Sequence, residues 1–314
     1  MKKIIYFLFL LILFNLAAIA QQDPQLSFNK LTQLTVNPGY AGSNSAVSGL
    51  ILNRYQWSGF EGAPKTLIFS VESLVDLFGG KSGLGLNIIS DELGFEKNIL
   101  VNLNYAYLVQ TSLGSLGIGT SLGIFNKAID GDWSVPEGSY YVNPNSDGLI
   151  PSGSVSQVAY DLGFGLYLTN KDYFAGLSVT HLNQAKIEFS DMAYTFYTRH
   201  YYLSGGYRVQ LSDPSFVLQP AVFVKTDLAS TQVDLNVDLV FRDRFWGGLG
   251  YRLDDAVIIS VGVEMMNGLR LGYAYDLVLS ALGQYSNGSH ELYLNYSFDL
   301  KKNREKKYKS VRFL

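Results

Sequence analysis

The chain has 314 residues, no cysteine, a formal net charge of -3, and only 16% charged residues against 47% hydrophobic and 14% aromatic. So slight an acidity argues against nucleic acid as a partner, and the missing thiol excludes disulfides, a cysteine nucleophile and lipoprotein-type acylation. A charged fraction well under the roughly 25% of an average soluble chain leaves too little polar material for a large aqueous exterior.

Lys2 and Lys3 precede an apolar run from Ile4 to Ala20 that closes on the small-x-small pattern Ala18-Ile19-Ala20. That arrangement predicts a signal peptide over residues 1–20 and an exported protein beginning at Gln21. No later stretch holds the eighteen or so consecutive apolar residues of a membrane helix, so a membrane location requires a closed barrel. The expected organisation is an N-terminal periplasmic or lumenal segment over 21–45, an all-β transmembrane barrel over 46–300 and a basic periplasmic tail over 301–314.

From there onward the chain alternates. In "TQVDLNVDLVF", Val233, Leu235, Val237, Leu239 and Phe241 point one way and Gln232, Asp234, Asn236 and Asp238 the other, which only an extended strand allows. The same pattern runs through Ile99–Val109, Val257–Met265, Leu269–Leu277 and Leu292–Leu300. These runs have the 9–11 residues of a transmembrane strand, longer than the usual globular strand of about 5–6. Fourteen strands are predicted, near 47–57, 65–73, 82–90, 97–109, 115–126, 157–169, 172–182, 198–210, 215–226, 231–242, 244–253, 255–266, 268–279 and 289–300. The first is irregular: Leu50 and Leu52 share a face with Arg54 and Gln56.

Barrels of the outer membrane carry short periplasmic turns and longer external loops. With a periplasmic N-terminus, the even connections read as tight turns (Gly79-Gly80-Lys81, Ser112-Leu113-Gly114, Asn170-Lys171, Asn267-Gly268), whereas Lys127–Ser156, Asn183–Tyr197 and Ser280–Gly288 are long. Asp254-Asp255, a tight turn on the outer side, departs from the phase. Asp234, Asp238, Arg252, Glu264, Arg270 and Asp276 fall on the face opposite the lipid, predicting a charged and partly filled lumen. Tyr160, Tyr173, Phe245, Tyr251 and Tyr275 are candidates for the interfacial girdles, although β-propensity explains each as well.

Little points to chemistry. His181, His200 and His290 are predicted at outer strand ends, where rim hydrogen bonding is the simpler role and where no HxH or HExxH spacing signals a metal. Ser289 and His290 are adjacent on a strand and therefore face opposite ways. No catalytic residue, cofactor or metal is expected. The loop "IDGDWSVPEGSYYVNPNSDGLIPSGS" exceeds ordinary loop length and offers Trp133, Tyr140 and Tyr141 as aromatic anchors for a partner, or as part of an inward plug. The tail "KKNREKKYKSVRFL" supplies Lys306, Lys307 and Arg312 with Phe313 and Leu314, either a solvated end or a docking peptide.

Several fragments in order, "QDPQLS" (Gln22–Ser27), "NPGYAGS" (Asn37–Ser43), "RYQWSGFEGAPKT" (Arg54–Thr66), "GLGLNIISDELG" (Gly83–Gly94), "RHYYLSGGY" (Arg199–Tyr207), "FWGGLGYR" (Phe245–Arg252), "GYAYD" (Gly272–Asp276), "GSHELYLNYSF" (Gly288–Phe298) and the terminal "RFL", resemble the PorP/SprF outer-membrane proteins of the type IX secretion system. The departures are Gly39, where alanine is usual, and "FNKLTQL" in place of a "QYMFNPL"-like run. The resemblance implies a non-enzymatic barrel that assists secretion and cell-surface anchoring of large cargo such as gliding adhesins, through the cargo's C-terminal domain. It also implies outer-membrane lipid, periplasmic secretion components and a peptidoglycan-binding protein as partners. Carried onto this chain, it makes Arg54, Gln56, Trp57, Glu61 and Pro64, on the first outer loop and its flanks, candidates for cargo contact. Two other classes stay open: a channel for small solutes, suggested by the charged lumen, and an outer-membrane hydrolase using a rim histidine.

Overall fold

Each alternating segment has one apolar face to remove from water, and a sheet that curls until its first and last strands pair leaves no open edge. A computed structural model describes residues 23–44, 46–77, 79–131, 153–189, 194–265 and 268–298. The strands are β1 (Val47–Tyr55), β2 (Lys65–Leu77), β3 (Gly80–Leu93), β4 (Glu96–Thr111), β5 (Gly114–Gly131), β6 (Gly153–Thr169) and β7 (Tyr173–Thr180). A small hairpin, β8 (Lys186–Glu188) and β9 (Tyr194–Phe196), precedes β10 (His200–Tyr207), which continues after a break at Arg208 as β11 (Val209–Gln210). Then come β12 (Phe216–Thr226), β13 (Thr231–Phe241), β14 (Phe245–Arg252), β15 (Ala256–Glu264), β16 (Leu269–Val278) and β17 (Ser289–Phe298).

Counting β10 and β11 as one, fourteen antiparallel strands form a closed barrel, the number expected from the alternation. The seam is β1 against β17, from Val47 opposite Phe298 to Tyr55 opposite His290. On the far side β10 pairs with β12. The side-chain phase is also as expected: Leu235, Val237 and Leu239 are exposed on the outer surface while Asp234 is buried inside. On β4, Ile99, Leu103 and Tyr107 face out and Leu100, Asn102, Asn104, Ala106 and Leu108 face in. A cation in the middle of that outer face should be costly. Leu103→Arg is expected to lower barrel stability by about 2–4 kcal/mol if it sits near the bilayer midplane, read as a fall in the urea midpoint for folding into lipid vesicles.

Two connections are shorter or more ordered than the alternation suggested. The loop expected over Lys127–Ser156 is narrower, because β5 and β6 stay paired as far as Gly131 opposite Gly153. Those outer strand ends carry no alternation, since Ser154, Ser156 and Gln157 are as exposed as their neighbours and no apolar face is required. Trp133, Tyr140 and Tyr141 lie outside the described residues. The connection expected over Asn183–Tyr197 contains the β8–β9 hairpin, and its Ile187 is buried with Leu100 and Phe125 under the outer mouth.

Candidate functional site

The lumen is occupied by the chain itself. From Asp23 at the outer mouth, the N-terminal segment descends through the barrel by way of a short helix, α1 (Gln33–Val36), and a 3-10 turn at Pro38–Tyr40, then turns back into β1. Side chains that alternation alone leaves unexplained hold it there. Phe28 packs edge-on against Tyr293 and Trp246, with ring centroids 4.7 and 5.7 Å apart, inside an apolar patch made by Leu50, Leu52, Ile68 and Ile258. Leu50 and Leu52 thus share the Arg54 face because the interior there receives an apolar side chain rather than water.

Lower down, the 3-10 turn lies directly on the backbone of the wall. A Cβ on Gly117 would stand 2.0 Å from the Gly39 carbonyl oxygen, and one on Gly119 would stand 2.3 Å from Pro38. Gly117 and Gly119 are therefore a bare strip on β5 against which the segment seats. Gly39 approaches just as closely, since its own Cβ would come within 2.8 Å of the carbonyl oxygens of Gly117 and Gly165. Below the turn, Gly42 donates its N–H to Glu72 at 2.9 Å, and the Asn44 amide donates to the same carboxylate at 2.8 Å.

Charge concentrates at one level of the wall. The Arg252 guanidinium donates to both oxygens of Asp234 at 3.1 Å and to Asp276 at 3.1 Å. Arg54 donates to Asp276 at 2.8 Å and to Glu291 at 2.9 Å. All five side chains are essentially without solvent exposure. Two cations face three carboxylates, and the N-terminal segment supplies the remaining donors: the backbone N–H groups of Ser27 and Phe28 each donate to Glu291 at 2.8 Å. The Ser27 hydroxyl donates to Asp276 at 2.6 Å and accepts from Arg54 at 2.8 Å. Buried ions need such partners, and here the plug supplies several of them, while Arg54 Nε has none among the described residues.

The six predicted lumen charges do not form a single network. Asp234, Arg252 and Asp276 meet as described. Asp238 pairs with Lys30 of the segment, and Glu264 with Arg270, half exposed at the short-turn end. Sequence reasoning missed Glu291 and Glu72, each an isolated carboxylate at an inward strand position, and Asp23, which lies in a segment with no alternation to place it.

Arg54 and Gln56 were expected on the first outer loop or its flanks, as candidates for cargo contact. Both are buried: the alternation of β1 turns Arg54 into the lumen, and Gln56, just past the strand end, is buried as well. Trp57, Glu61 and Pro64 do belong to that loop, with Glu61 exposed. Trp57 adopts a left-handed backbone (φ 50°), and its N–H donates to the Ser289 hydroxyl at 3.1 Å. The loop is tied to the last one by Ser58 N–H to the Gly288 carbonyl at 2.8 Å and Asn287 N–H to the Ser58 carbonyl at 2.7 Å.

Two of the histidines come together and the third does not. His181 and His200 are buried around Asp23, whereas His290 points outward and meets the Tyr273 hydroxyl at 2.7 Å. His290 and Ser289 thus face apart, as their adjacency on a strand requires. Burial by itself would raise the Asp23 carboxyl; the charge of His181 and then of His200 holds it well below the usual carboxylate range. Burial would lower His181, but Asp23 and the hydrogen bond to Asp161 push it up to about 10. A cavity of about 410 Å³, bordered by Gln56, Trp57, Leu93, Glu96, Phe125 and Tyr197, opens beside this cluster at the outer mouth. A second of about 320 Å³, bordered by Lys30, Tyr40, Asp238, Trp246 and Arg270, lies toward the short-turn end.

A closed antiparallel barrel with an apolar exterior and an ionic interior defines an outer-membrane β-barrel protein. Residues 18–296 match the family described as type IX secretion system membrane protein PorP/SprF, and the chain belongs to that family. Among solved structures it is similar to the outer membrane protein Omp33 of Acinetobacter baumannii, at 6% identity and a TM-score of 0.48 over 81% of this chain and 98% of that one. The Ralstonia pickettii toluene transporter TbuX is 10% identical, with a TM-score of 0.44 over 83% of this chain and 91% of its own. The KdgM porin is 12% identical, with a TM-score of 0.38 over 80% of this chain and 99% of its own. No curated protein matches the chain.

Proposed function

We propose that this barrel is a non-enzymatic component of the type IX secretion system that assists secretion of large adhesin-type proteins and anchors them at the cell surface through their C-terminal domains, serving adhesion or gliding. The observation that supports this best is the self-filled lumen. With residues 23–44 seated on the wall and bonded to its ions, the interior is not available as a conduit, and partners are left with the two ends.

At the outer end, the first loop is the surface we assign to cargo. Trp57 holds a backbone conformation that costs about 1–3 kcal/mol in a residue of its size, and such strain concentrates at binding sites. A groove of about 480 Å³ lies beside it, bordered by Phe60, Glu61, Pro64, Glu92 and His290. Trp133, Tyr140 and Tyr141, which the sequence places between β5 and β6, are assigned to the same contact. At the inner end, the tail residues Lys306, Lys307, Arg312, Phe313 and Leu314 are assigned to periplasmic secretion components, including a peptidoglycan-binding protein.

Deleting the gene should abolish surface display of the large exported protein that depends on it. The Trp57→Ala, Glu61→Ala double variant should leave barrel levels unchanged and weaken cargo retention, since truncating an aromatic hot spot typically costs about 2 kcal/mol or more, roughly 30-fold in affinity. Flow cytometry against the cargo reads both. Normal display in the deletion strain would overturn the reading.

A further inference from the structure

We propose that Asp23, His181 and His200 form a binding site for a divalent transition metal of the zinc class, and that the bound ion latches the N-terminal segment to the outer rim of the barrel. One ligand atom from each of the three can be chosen so that all lie within 4.8 Å of one another. The residues come from three separate places, the plug, the end of β7 and the start of β10, so an ion shared among them would tie the segment to two strands at once.

The arrangement of the imidazoles carries the argument. His181 uses Nδ1 against the Asp161 carboxylate at 2.7 Å, which leaves Nε2 directed at Asp23, 3.0 and 3.1 Å from its two oxygens. His200 uses Nδ1, which also lies 3.9 Å from Asp23 Oδ2, against the Thr198 carbonyl at 2.9 Å, and its Nε2 accepts the Asp23 backbone N–H at 3.4 Å, a bond an ion would replace. In metal sites a ligating histidine normally directs its other ring nitrogen to a carboxylate or a backbone carbonyl, which fixes ring orientation and tautomer. Both second partners are present here without any ion. Two imidazoles and one carboxylate are a known three-ligand set for zinc, with a fourth position left for water. The outer-mouth cavity, which Asp23 and His181 border, gives such a water and the ion a route of entry.

The remaining neighbours of Asp23 keep it in place. Tyr197 donates its hydroxyl at 3.3 Å and Thr180 at 3.5 Å, the Tyr202 hydroxyl bonds the same carboxylate, and Lys225 donates to the Asp23 carbonyl oxygen at 2.9 Å. When zinc binds, it replaces the proton on His181 Nε2, which leaves to solvent, and Asp23 shifts from hydrogen-bond acceptor to ligand. The hydrated ion sheds all but one of its waters to solvent, and His200 Nε2 exchanges the Asp23 N–H for the ion. This inference does not depend on the secretion role proposed above.

The test uses the full-length barrel purified in detergent, stripped with chelator and titrated with zinc chloride or cobalt chloride. One equivalent per chain is expected by elemental analysis, with the visible absorption of a four-coordinate site in the cobalt form. Uptake should be lost in Asp23→Ala and His181→Gln and kept in His290→Gln. Because the chain has no cysteine, a Gln25→Cys variant reports the latch by maleimide labelling, expected to slow at least tenfold when zinc is added. Wild-type protein that takes up no stoichiometric zinc or cobalt overturns the site without recourse to any variant. Uptake that persists in both Asp23→Ala and His181→Gln also overturns it, and unchanged labelling overturns the latch.

Discussion

Removal of residues 23–44 is expected to convert a silent barrel into a conducting one. The wall does not depend on the segment for closure, since β1 pairs with β17 and β10 with β12 through the backbone. Lumen width grows with strand number, and fourteen strands are more than side chains alone fill. In the intact protein, Phe28, the helix α1 and the 3-10 turn take up that space, and the wall ions Arg54, Arg252, Asp234, Asp276 and Glu291 are sealed beneath them. Without the segment those five groups would be hydrated, and a polar, water-filled passage would join the two end cavities. Planar bilayer recording should show discrete steps for the deletion protein and none for the intact chain, with heat-modifiable migration on gels confirming that the barrel has formed. An open intact protein, or a deletion that folds and stays silent, would contradict the account of the plug.

Arg54→Met should be the most damaging single substitution. It removes one of two cations from a buried group of three carboxylates and leaves Glu291 with only the backbone donors of Ser27 and Phe28. Breaking a buried pair from one side typically costs about 3–5 kcal/mol, because the orphaned charge stays out of water. The wall can relieve that cost by admitting water, which means releasing the segment. A large fall in thermal midpoint is therefore expected, together with rapid labelling of a cysteine placed at Gln25. Adding Glu291→Leu should recover much of the loss, since removing both partners takes away the unpaired ion. If Arg54→Met melts like wild type, or if the double variant is no better than the single, the ionic level does not hold the segment.

Both expectations arise from contacts between residues far apart in the chain, and this marks where sequence reasoning stopped. Strand identity, outward face and strand number were legible because lipid imposes one rule on every second residue, visible over any ten positions such as Thr231–Phe241. The wall ions were legible only as inward positions. Arg54 meets Asp276 and Glu291 across 222 and 237 residues of chain, and His181 meets Asp23 across 158. Spacing in sequence carries no trace of such pairs. Leu50 and Leu52 show the same limit from the other side: they break the alternation rule, and the reason, Phe28, lies in a segment with no alternation of its own.

By itself, then, the sequence determined that this protein is a lipid-embedded barrel of fourteen strands, since solvation by acyl chains acts locally on each strand. Tertiary structure alone decided that the lumen is filled from within, that Arg54 and Gln56 are buried rather than open to cargo, and that two histidines converge on Asp23. Those outcomes depend on which carboxylates, cations and bare glycine backbones face each other once the sheet has closed, and closure is a property of the whole chain.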